Sequence, residues 1–173
     1  MNILNEKFAM VNPPRCGTRW VLGVINDIYG NITRHTHSFN LDLLGDRKLL
    51  MMVRNPYHRL RSIFRWQKTI GNIDAEYNWE EFVLHKDQNH TPVSEMYGDN
   101  INLVDHFINL ENVNKQIKDI MGIDLPHYNN EYFDNNYDDN LSLNEAYSNP
   151  KVLSKVNKQF SGDFDLFQYK YIT

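Results

Sequence analysis

The residues of this chain best equipped for chemistry are Pro13-Pro14-Arg15-Cys16-Gly17-Thr18-Arg19-Trp20. Ahead of them, Phe8 to Asn12 reads as a buried strand, and behind them Val21 to Tyr29 reads as a helix. A strand that turns through a tight loop into a helix makes an anion cradle. The N–H groups of the first helical turn have no intrahelical partner, they converge on one point, and the helix dipole favours negative charge there. Gly17 lets backbone approach the anion, the Thr18 hydroxyl can donate to it, and Arg15 supplies a fixed positive charge.

Several elements must hold that loop in place. Thr18 is a permissible N-cap for the first helix, Val21, Leu22, Val24, Ile25 and Ile28 recur at helical spacing, and Gly30 suits the stop. Ile32 to His37 reads as a strand on its alternation and β-branched content. Lys48 to Arg54 is a near-continuous apolar run, the pattern of a strand covered on both faces of a parallel sheet. Asn55 and Pro56 then cap and open a helix from Tyr57 to about Thr69. It turns Leu60, Ile63 and Phe64 inward and leaves His58, Arg61, Arg65 and Lys68 on what reads as a solvated basic face.

Further along, Trp79 to His85 reads as a short helix and Gln88 to Asn100 as a loop with Pro92 and Gly98. Val104 to Leu110 is a strand candidate, followed by a helix from Asn112 to Met121 that Gly122 closes. Tyr128 to Asn140, rich in Asn, Asp and Tyr, is expected at the surface. Asn149 caps and Pro150 opens a last helix in which Val152, Val156 and Phe160 repeat every fourth position. Phe164, Leu166, Phe167 and Tyr169 form an aromatic tail expected to dock on the core. Strands alternating with helices predict a right-handed α/β core with a parallel sheet, and no repeat or linker divides residues 1–173, so a single domain is expected.

Composition narrows the choices. With 173 residues, 41% of them hydrophobic, the chain can bury an ordinary core. A formal net charge of -4 argues against wholesale nucleic-acid binding, which leans on excess Lys and Arg. Cys16 is the one cysteine, so no internal disulfide forms and nothing here requires an oxidising compartment. The first residues show neither a basic region followed by an apolar core nor a spanning run, so the expectation is a cytoplasmic protein with no signal peptide and no membrane anchor.

The loop does not follow the nucleotide-triphosphatase pattern G-x-x-x-x-G-K-[ST]. Arg15-Cys16-Gly17-Thr18-Arg19-Trp20 resembles instead the 5′-phosphosulfate loop, K-x-G-T-x-W, of sulfotransferases that use 3′-phosphoadenosine-5′-phosphosulfate (PAPS), with Arg15 in place of the Lys. Arg54-Asn55-Pro56-Tyr57-His58-Arg59-Leu60-Arg61-Ser62 resembles the same family's 3′-phosphate motif, R-[DN]-P-x-x-R-L-x-S. Val104 to Asn112 and Asp163 to Tyr169 look, more faintly, like the later strand–helix segment and closing motif of carbohydrate-type members. The resemblance implies a three-layer, P-loop-like parallel sheet flanked by helices. It implies PAPS as donor, adenosine 3′,5′-bisphosphate as product, no metal, and a hydroxyl or amine acceptor, carbohydrate or small alcohol. By the same resemblance, Arg15, Cys16, Gly17, Thr18, Arg19 and Trp20 surround the 5′-phosphosulfate, with Trp20 stacked on adenine. Arg54 and Ser62 take the 3′-phosphate, where a guanidinium fork and a hydroxyl supply charge-assisted hydrogen bonds.

Between its two phosphate motifs that family places a base, and Arg34-His35-Thr36-His37-Ser38 occupies the place here. Sulfuryl transfer to a hydroxyl needs a group that takes the acceptor's proton, and an imidazole with a pKa of about 6.5 suits the task at neutral pH. His37 is the first candidate. His35, two residues away, could hold the acceptor or share the role, and Asp42 is the carboxylate alternative. Both histidines could instead be structural, or a metal pair with no third ligand in view. Arg15 can neutralise charge on the leaving oxygen but hardly protonate it, since its pKa is about 12 or higher. Two other readings remain open: a P-loop small-molecule kinase with a degenerate loop, and a catalytically inactive nucleotide-binding module on the same fold.

Overall fold

The computed structural model describes residues 1–30, 32, 37–74, 76–85, 90–126 and 141–172. The strand expected over Ile32 to His37 falls mostly outside them, and His35 and the whole Tyr128 to Asn140 segment lie outside them. The chain divides into two compact units, Met1–Arg54 with Tyr97–Tyr128, and Asn55–Met96 with Asn129–Thr173.

The first unit is an α/β layer built on a four-stranded sheet in the order β1 (Asn2–Ile3), β2 (Phe8–Val11), β3 (Lys48–Val53), β4 (His106–Asn109). β2, β3 and β4 run parallel, as the sequence predicts. β1 departs from that expectation by pairing antiparallel with β2, so the sheet is mixed. The cause is local: the Asn5 side chain accepts from the N–H groups of Lys7 (2.8 Å) and Phe8 (3.0 Å), and this turn folds the first residues back on β2. Leu49 to Val53 are all fully buried, which is what a continuous apolar run at the middle of a sheet requires.

Met10, Leu50, Met52 and Ile108 share a core with Val21, Leu22 and Ile25 of α1 (Thr18–Tyr29) and with Val113 and Ile117 of α5 (Val113–Met121). α1 ends at Gly30 (φ 69°), whose N–H reaches the Asn26 carbonyl, and α5 ends at left-handed Gly122. β4 is clamped at its start by Asp105, whose carboxylate accepts from Leu49 N–H at 2.7 Å while its own N–H donates to the Leu49 carbonyl at 2.8 Å.

The second unit is helical: α2 (Pro56–Thr69), α3 (Trp79–His85), α4 (Val93–Tyr97, whose last residue joins the first unit), α6 (Leu143–Ala146), α7 (Pro150–Gln159) and α8 (Ser161–Phe167). Asn55 and Asn149 cap α2 and α7 by accepting from Tyr57 and Lys151 N–H, each with Pro opening the helix behind it. Tyr57, Leu60, Phe64, Trp79, Phe82, Tyr147, Val152, Val156, Phe160 and Phe164 make its aromatic-rich core. The expected loop at Gln88 to Asn100 contains α4 and the start of a 3-10 turn over Gly98–Leu103. The aromatic tail is largely helical, burying Phe164 and Phe167 and leaving Leu166 exposed.

Candidate functional site

The loop between β2 and α1 turns on two left-handed residues, Arg15 (φ 68°) and Gly17 (φ 79°). Thr18 was the expected N-cap. The cap is Gly17 instead, and Thr18 is the first helical residue. Glycine suits the position on two counts: the left-handed φ strains other residues, and a Cβ on Gly17 would force the Leu110 side chain to shift. The close approach to Leu110 thus joins the anion argument as a reason for this glycine. Cys16 N–H closes the turn on the Pro13 carbonyl at 3.3 Å, and the first helical bond runs from Val21 N–H to Gly17. The amides of Thr18 and Arg19 come before that bond, at the open end of the helix, and the first turn carries no acidic residue.

Two side chains in this region carry buried polar atoms without a hydrogen-bond partner among the described residues. They are Thr18, through Oγ1, and Asn12, through both Oδ1 and Nδ2, with Asn12 only 1% exposed. Orphaned buried polar atoms cost about 1–3 kcal/mol each and point to a bound group or water that completes them. Arg15 is half-buried and Arg19 exposed. Trp20 is half-buried and packs against the first unit's core, and Cys16 is fully buried, its thiol 3.8 Å from the Pro14 carbonyl.

His37 comes to this loop. Its Nδ1 lies 2.6 Å from the Asn12 carbonyl, and the residue is otherwise exposed. A carbonyl only accepts, so Nδ1 carries a proton, and in the neutral ring that leaves the lone pair on Nε2, the form a general base requires. The Tyr97 hydroxyl donates to the His37 carbonyl at 2.6 Å, and the Tyr97 ring meets Phe39 edge-on, centroids 5.2 Å apart. Asp42 sits exposed in a 3-10 turn, Leu41–Leu43. Among the described residues no His, Cys, Asp and Glu cluster could hold a metal ion.

Val11 pairs with Met51, so the loop that begins at Asn12 and the half-buried Arg54 beyond β3 leave the sheet at the same edge, the carboxyl ends of parallel strands. Open α/β sheets commonly bind ligands at that edge. Ser62 is half-buried on α2 in the second unit. The basic stripe of α2 is not a uniformly solvated face: Arg61 is buried and donates to the Leu141 carbonyl at 2.5 Å, and Lys68 lies over the Phe64 ring at 5.0 Å. Sequence reasoning passed over Asn12 and Tyr97. Asn12 could have been found as a polar residue closing an apolar strand beside the loop, whereas Tyr97 carries no local signal.

No protein-family model, no curated protein and no solved structure matches this chain. No helix among the described residues is long and apolar enough to cross a membrane.

Proposed function

We propose that this protein is a PAPS-dependent sulfotransferase of P-loop-like, three-layer architecture, acting on a hydroxyl or amine, with carbohydrates and small alcohols the first acceptors to try. The observation that carries the reading is His37, hydrogen-bonded through Nδ1 to Asn12 at the foot of a loop whose sequence resembles the family's phosphosulfate loop. The orphaned Thr18 hydroxyl at the helix entrance suits an oxyanion ligand, to which it would donate.

The donor supplies the sulfuryl group, and each further role falls to this chain. Nε2 of His37 takes the acceptor's proton as the acceptor oxygen bonds to sulfur. The sulfur–oxygen bond to the phosphate breaks on the opposite side, and the electron pair leaves with the bisphosphate. Arg15 and the amides of Gly17 and Thr18 neutralise the charge that grows on that oxygen, the work magnesium does in kinases. By the motif resemblance, Arg54 and Ser62 take the 3′-phosphate and Trp20 the adenine. His35 keeps its place as the alternative base.

The test is sulfate transfer from labelled PAPS to a panel of sugars and small alcohols, alongside thermal shifts with adenosine 3′,5′-bisphosphate and with ATP–magnesium. Transfer with stabilisation by the bisphosphate is expected. Stabilisation by ATP–magnesium alone would move the protein to the kinases, and bisphosphate binding without turnover on any acceptor would mark an inactive module.

A further inference from the structure

We infer that Tyr97 is a positioning residue for His37: its hydroxyl fixes the His37 backbone carbonyl and thereby steadies an imidazole whose Nδ1 proton the Asn12 carbonyl holds, leaving Nε2 of the neutral ring bare. The geometry stands without any assigned activity, while its use in catalysis rests on the sulfotransferase reading.

His37 is exposed, and an exposed imidazole with nothing to restrain it samples several rotamers and, in water, favours the proton on Nε2. Two bonds of 2.6 Å oppose that freedom, one on the ring and one on the backbone. The Asn12 carbonyl takes the Nδ1 proton and so sets ring orientation and tautomer. The Tyr97 hydroxyl takes hold of the residue's own backbone carbonyl, fixing where the ring starts from. Tyr97 can do so because it is itself packed: it is 7% exposed, and its ring abuts Phe39 at an interplanar angle of 69°. Deleting the hydroxyl returns the His37 carbonyl to water and, while the Met1 amine still holds the Ser38 carbonyl at 2.5 Å, loosens residue 37 itself and its Nδ1–H bond to Asn12.

Long-range proton–nitrogen correlation spectra of the full chain, uniformly labelled with nitrogen-15, report tautomers directly, and a His37→Gln variant identifies the resonances. Wild type is expected to show His37 protonated at Nδ1 and bare at Nε2. In Tyr97→Phe the population of that form is expected to fall at least twofold. A wild-type His37 protonated at Nε2, or a Tyr97→Phe spectrum identical to wild type, overturns the inference. Should Tyr97→Phe fail to fold, Phe39→Leu, which loosens the tyrosine ring while keeping its hydroxyl, takes its place with the same expected direction. In parallel, kcat for transfer from PAPS is expected to drop roughly tenfold in Tyr97→Phe with KM for PAPS unchanged. The predicted tautomer without transfer by wild type leaves Tyr97 in its role and removes the transferase reading. Transfer with an unaltered tautomer does the reverse.

Discussion

Which nitrogen of His37 carries the proton decides what that side chain can do, and a backbone carbonyl settles it. A His37→Ala variant keeps the loop and is therefore expected to bind adenosine 3′,5′-bisphosphate with unchanged affinity while transferring sulfate about 10²–10⁴-fold more slowly. Titration calorimetry and initial rates check the two halves, and undiminished turnover would pass the base role to His35 or Asp42. Gly17 carries a different kind of constraint, conformational and steric at once. Gly17→Ala is expected to cost about 1 kcal/mol for the left-handed backbone and a further ~1–3 kcal/mol for the collision with Leu110. Urea denaturation of Gly17→Ala, with and without Leu110→Ala, separates the terms: the second change should recover the steric part, less its own packing loss, and leave the backbone part.

The elements divide by how far away their causes lie in the chain. α1, α2, α5 and α7 announce themselves because their determinants are adjacent in sequence, Gly30 and Gly122 as stops and Asn-Pro as starts. α4 does not, since what caps it is the carboxylate of Asp163, accepting from Val93 N–H (2.8 Å), Ser94 N–H (2.7 Å) and Ser94 Oγ (2.7 Å) across some seventy residues of chain. A sequence window that reads Pro92 and Gly98 as loop residues is locally correct and is overruled from a distance. Asp163→Ala leaves one buried and one part-buried amide without an acceptor and is expected to destabilise the protein by about 2–3 kcal/mol. Chemical denaturation measures the loss, and hydrogen exchange at Val93 and Ser94 should accelerate first. Arg61 teaches the same lesson on α2, where helical spacing groups it with exposed cations but the Leu141 carbonyl draws it inward.

At the scale of the molecule, two cores coexist: an aliphatic one around the sheet and an aromatic one among the helices. The second contains two phenols that burial holds neutral. Desolvation pushes Tyr147 well above its usual range, and it also raises Tyr57, against the opposing hydrogen bond that the Ile172 N–H donates to the Tyr57 oxygen. In the unfolded chain both ionise near pH ~10. A folded-state pKa above the unfolded one contributes stability that is whole below about pH 10 and is lost as pH climbs toward the folded values. Urea midpoints measured from pH 8 to 11.5 should therefore fall above pH ~10. Tyr147→Phe should be less stable than wild type at pH 8, having lost its bond to the Tyr57 carbonyl, yet decline less steeply in alkali. The sequence by itself determined what neighbours along the chain can determine: the strand–loop–helix around Gly17, the fully buried β3, the capped helices, and the two motifs that resemble those of a sulfotransferase family. Tertiary structure alone decided what needs residues far apart to meet. It made the sheet mixed, capped α4 from Asp163, pressed Leu110 against Gly17, and brought Tyr97 and Asn12 to His37, because such bonds pay off only after the chain has closed on itself.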